Sequence, residues 1–80
     1  MKAQKILSNR IKYYCRSQDI SYYMLSYRST VPLVTLMHIL HGRTRNPGIF
    51  TVMKICSGLN VTLPEFFSSE EFLNLEYEVE

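Results

Sequence analysis

The run Pro32-Leu-Val-Thr-Leu-Met-His-Ile-Leu-His-Gly42 constrains this chain more than any other stretch. Proline suits the first turn of a helix, because its φ is fixed near the helical value and its missing N–H has no intrahelical partner there. Leu36, Ile39 and Leu40 then fall at i, i+3 and i+4 and form one apolar stripe. Gly42 follows the last apolar residue, where a left-handed cap is wanted. The spacing predicts a short amphipathic helix whose second face carries Leu33, Val34, Met37 and His38.

Its neighbours carry equally clear start and stop signals. Ser21 is a good N-cap for a helix over about 22–29, and Ile20 with Leu25 can form a hydrophobic staple around it. Thr30-Val31 turns that helix into the next, giving two short helices joined by a tight turn, the second amphipathic. Upstream, Leu7, Ile11, Tyr14 and Cys15 repeat at helical spacing within residues 3–17, with Arg10, Lys12 and Arg16 off the stripe. Downstream, a polar basic loop from Arg43 to Pro47 leads into a helix from about Gly48 to Leu59, striped by Ile49, Val52, Ile55, Cys56 and Leu59. Gly58 weakens its last turn, and Asn60 is a plausible left-handed cap. Thr62-Leu-Pro-Glu65 fits a capping box for a fifth helix over about 63–67. Ser68-Ser-Glu-Glu could open one more turn, and Leu75-Glu-Tyr-Glu-Val-Glu80 alternates at strand periodicity.

Eighty residues make one small domain, for which an all-α, locally connected fold is the accessible solution. The expected division is a helical body over 1–67 and an acidic C-terminal extension over 68–80. Charge divides at nearly the same place. Residues 1–60 hold all nine Lys and Arg and one acid, Asp19, whereas residues 61–80 hold six Glu and no base. A net charge of +8 over residues 1–60 points to a polyanionic partner. Cys15 and Cys56 each fall inside an apolar helical pattern, so they read as reduced core thiols of a cytoplasmic protein. Nothing in the chain has the length and apolarity of a membrane span or the pattern of a signal peptide.

With these elements in place, the chain resembles the Cro/C1-type helix-turn-helix domain of phage repressors and small bacterial regulators. The resemblance covers about Ile6 to Phe67. It rests on Arg10-Ile11, Ile20-Ser21 with Leu25, and Val31 through Thr35-Leu36 to Ile39. It rests also on the loop Gly42-Arg-Thr-Arg-Asn-Pro47 and the run Lys54-Ile-Cys-Ser-Gly-Leu-Asn-Val-Thr-Leu-Pro-Glu-Phe-Phe67. It implies a compact five-helix, lambda-repressor-like fold with the third helix in the major groove of double-stranded DNA. Leu33, Val34, Met37 and His38 then take the base-reading positions. Arg10, Ser21, Tyr22, Thr35, Arg43, Arg45 and Asn46 take phosphate-facing ones. Thr30 stands where the family has a turn glycine, and Ser26 where it has a small alanine. Cys15 and Leu40 stand where it often has an arginine–glutamate pair. Leu33 and Val34 replace the usual polar readers and suit contact with thymine methyl groups and DNA shape.

The resulting expectation is a cytoplasmic, nucleoid-associated transcriptional regulator acting as a homodimer. Phe66, Phe67, Leu75, Tyr77 and Val79 form the expected dimer interface, with the tail as a strand that pairs with its copy. The alternative is a protein-interaction module, of antitoxin or accessory-regulator type, built on the apolar pair Leu33–Val34. No catalytic residues and no cofactor are expected: the chain has one Asp, no phosphate-cradling glycine loop and no base beside either thiol. His38 and His41 are three apart, but only Cys15 or Cys56 could complete a metal site, and no metal is expected. Tyr13, Tyr14, Tyr22, Tyr23 and Tyr27 could in principle stack single-stranded bases, although packing explains Tyr14 more simply.

Overall fold

Six helices form among the residues that the structure, a computed structural model, describes, which are 3–44 and 46–75. They are α1 (Ala3–Gln18), α2 (Tyr22–Ser29), α3 (Leu33–Leu40), α4 (Ile49–Leu59), α5 (Leu63–Phe66) and α6 (Glu70–Leu73). No strand occurs among the described residues. The expected all-α class is therefore found, with one more helix than expected. The sixth arises because Ser69 caps it, accepting the N–H of Phe72 at 3.4 Å, with Glu70 and Glu71 in its positive first turn. The expected terminal strand falls mostly on 76–80, outside the described residues, and Leu75 just before them is irregular.

Local signals set the boundaries. Ser21 accepts the Met24 N–H at 3.0 Å and starts α2. Thr62 and Glu65 complete a reciprocal capping box at α5, at 3.2 and 3.1 Å. Three helices close with a left-handed residue and paired backbone bonds that satisfy their last carbonyls: Asp19 after α1, Gly42 after α3 and Asn60 after α4. After α3, Gly42 donates to Ile39 at 3.0 Å and Arg43 to His38 at 2.9 Å.

The core gathers Ile11, Leu25, Leu36, Ile55, Leu59 and Phe66, each essentially inaccessible. Cys15 and Leu40, the apolar replacement for an ion pair, are both buried in this cluster. Helix α1 packs on α3, and α2 packs on both α3 and α4. Gly58 is central to the α2–α4 approach, because a Cβ there would lie 2.9 Å from the backbone nitrogen of Ser29.

Helix α1 also binds the ends of three other helices through side chains. Ser8 donates to the Leu40 carbonyl at the end of α3 at 2.6 Å, in a buried bond. Gln18 donates to the Leu59 carbonyl at the end of α4 at 2.7 Å. Arg10 donates to the carbonyls of Phe66 and Glu65 at the end of α5, both at 2.8 Å. Helix-end carbonyls run short of intrahelical partners, and α1 supplies donors to those of Leu40, Leu59 and Phe66, while that of Glu65 also accepts from Ser68.

One stripe departs from expectation. In α4, Val52, Ile55, Cys56 and Leu59 are buried, but Ile49 is 55% exposed. It lies in the first turn, at the rim of an apolar groove, rather than under it.

Candidate nucleic-acid interface

Helix α3 spends three of its eight residues on the core, Leu36, Ile39 and Leu40. The opposite side stays uncovered: Val34 is 63% exposed, Leu33 is 38% exposed, and His38 is exposed. Met37 is half-buried and packs against the core, so it lies at the edge of this face rather than at its centre. His41 is exposed as well, and residues 34, 38 and 41 follow one another along a helix at spacings of four and three. His41, the C-cap residue of α3, thus continues the outward row just past the helix, although the sequence reading considers it beside His38 as a metal pair.

The turn before α3 is held tightly. Thr30 adopts φ 59° and ψ 17°, the left-handed conformation that glycine accepts without strain. Buried Ser29 stabilises the corner, accepting the Val31 N–H at 3.2 Å. Val31 is buried, and Pro32 then caps α3 at φ −54°. The orientation of α3 relative to α2 is therefore fixed by a buried side chain and a left-handed residue.

The expected phosphate-facing residues divide. Ser21 and Arg43 are exposed, and Thr35 and Tyr22 are half-buried. Tyr22 and Ser21 line a recess of about 410 Å³ at the start of α2. Asn46 is exposed but lines the apolar groove beside Ala3 and Gln4 at the start of α1. Arg45 lies outside the described residues. Arg10 is not an open cation: besides its two carbonyl bonds it reaches the Tyr14 hydroxyl at 3.0 Å and sits 4.6 Å from that ring's centroid. Its position among the phosphate-facing residues is corrected to a tie within the body.

The expected dimer residues also change. Phe66 has 0% exposure and stacks with Tyr14 at 6.1 Å between centroids, so it is core and not interface. Phe67 is half-buried, with its ring 5.1 Å from Phe66 and 4.8 Å from Phe72. Leu75 is half-buried on the apolar groove, while Tyr77 and Val79 lie outside the described residues. Besides Leu33 and Val34 on α3 and Leu73 on α6, exposed apolar side chains stand out from the first two turns of α4 at Ile49, Phe50 (74%) and Met53.

No group of three or more metal-ligating side chains occurs among the described residues. Burial pushes both thiols, Cys15 and Cys56, above their ordinary pKa, which suppresses the reactive thiolate. No described helix is long and apolar enough to cross a membrane. Tyr13, Tyr23 and Tyr27 are exposed, whereas Tyr14 is half-buried between Arg10 and Phe66. Comparison with family models, characterised proteins and solved structures gives no match to this chain.

Proposed function

We propose that this chain is a helix-turn-helix regulator of transcription that binds double-stranded DNA with α3 in the major groove. The observation that carries the reading is the outward row of α3, held by a rigid turn and left uncovered on a strongly cationic body. Ser21 and Tyr22 at the start of α2 and Arg43 after α3 hold the phosphate backbone, since helix N-termini and arginines favour anions. Val34 and Leu33 meet thymine methyl groups, and His38 and His41 supply polar contacts along the same face. The fold is the lambda-repressor-like one that the sequence resembles, and the protein works in the cytoplasm. A homodimer would place its half-sites about 34 Å apart, one turn of duplex.

A salt-titrated mobility shift with duplex DNA tests the proposal. Binding should weaken steeply between about 50 and 200 mM salt as phosphate contacts are screened. Absence of binding to any duplex at low salt overturns it.

The exposure of Val34 and Leu33 also favours a second reading, in which this face grips a protein partner. Charge reversal at Arg43 and Arg45 separates the two. If cellular function survives R43E/R45E but is abolished by Leu33→Asp, the partner is a protein.

A further inference from the structure

Helix α1 carries a cationic row that the phosphate-facing set above does not include. Lys5, Lys12 and Arg16 stand at i, i+7 and i+11, which places them along one side of a helix. At 1.5 Å per residue they extend over about 16 Å of α1. Arg10, on the same helix, is held by the carbonyls of Glu65 and Phe66. Among the described residues the side chains of Lys5, Lys12 and Arg16 are not tied to helix-end carbonyls in this way, and Lys5 and Arg16 are exposed.

Two recesses tie this row to the proposed DNA-facing elements. The recess at the start of α2 places Lys12 and Arg16 with Ser21 and Tyr22, and includes one acid, Asp19. A second, of about 250 Å³, places Lys5 and Lys12 with His41 and Gly42 at the end of α3. Lys12 belongs to both. The cationic side of α1 therefore bridges the start of α2 and the end of α3, the two places where a duplex lying on α3 would bring its backbone.

We infer that α1, through Lys5, Lys12 and Arg16, is a backbone-binding element that tracks one DNA strand from the end of α3 to the start of α2. This inference rests on the duplex-binding reading above. The ligand chemistry is a run of phosphodiesters, recognised by charge and without base contacts, so the contribution is independent of sequence.

The test is the salt dependence of binding to a labelled random-sequence duplex. Each phosphate contact contributes about 0.9 to the slope of log affinity against log salt. The variants are K5Q, R16Q and the triple K5Q/K12Q/R16Q, with Lys54→Gln on α4 as the reference for a general loss of charge. The expected result is a slope shallower by about one in each single variant and by about two to three in the triple, beyond any change in K54Q. Far-ultraviolet circular dichroism checks that each variant is folded, and the exposed singles K5Q and R16Q give the answer if the triple is not. Slopes that match K54Q overturn the inference while leaving duplex binding by the parent chain intact. A parent chain that does not bind overturns both.

Discussion

Arg10 joins two parts of the chain that lie 56 residues apart, and its energetics follow from its geometry. Its guanidinium supplies two donors to carbonyls at the end of α5 and one to Tyr14, in a half-buried site. Hydrogen bonds from charged donors are worth about 1.5–3 kcal/mol each when buried, and partial exposure reduces the sum. Arg10→Ala should therefore cost about 2 kcal/mol and lower the melting temperature by roughly 10 °C, at about 4–8 °C per kcal/mol for a chain of this size. The slope of DNA binding against salt should change no more than in K54Q, because the guanidinium donors are held by the α5 carbonyls and Tyr14 rather than by a phosphate. Thermal denaturation and the salt titration read the two effects separately. The resemblance to the Cro/C1-type domain implies a phosphate-facing role for Arg10. Only the fold brings the α5 carbonyls to it, and no local pattern encodes that meeting. Thr30 shows the opposite case. The resemblance implies a turn glycine at this position, and Thr30 takes φ 59° there despite its branched Cβ.

At the scale of elements, capping chemistry and apolar periodicity were legible because both act within a few residues. Ser21, Thr62 with Glu65, Gly42 and Asn60 all terminate helices where short-range hydrogen bonding requires it. Gly58 was legible only in part. Along the sequence it is a weak point in the last turn of α4; in the fold it is where α4 meets the end of α2. The two views give opposite signs for one substitution. Helix propensity alone makes Gly58→Ala stabilising by about 1 kcal/mol. The 2.9 Å approach to the Ser29 backbone makes it destabilising by about 1–3 kcal/mol, because backbone cannot move aside as a flexible side chain can. Urea denaturation decides the sign, and a more stable G58A would contradict the close α2–α4 packing.

The whole molecule separates its surfaces by chemistry. Cations line α1 between the start of α2 and the end of α3, while large apolar side chains stand out from the first turns of α4. The sequence reading rests the dimer on Phe66, Phe67 and the alternating tail. Phe66 is needed in the core instead, where it meets Tyr14, Phe67 and Phe72. Ile49, Phe50 and Met53 on α4 are exposed and are the apolar surface to test for the homodimer proposed above. Phe50→Glu should lower the association state in sedimentation, and at protein concentrations where the parent is dissociated it should leave the melting temperature unchanged, since Phe50 is 74% exposed in the single chain. An unchanged association state would remove α4 from the interface.

The charge asymmetry and the order of helices were legible from the chain; which cations remain available on the surface was not, because that depends on packing. The central claim is that the outward row of α3 reads duplex DNA. Selection from a random duplex pool measures it most directly. The account predicts recovered sequences enriched at positions rich in thymine, with the enrichment altered in V34S and H38A but retained in the exposed control K54Q. Recovery of no duplex above background, or of an enrichment that V34S and H38A leave unchanged, would contradict it.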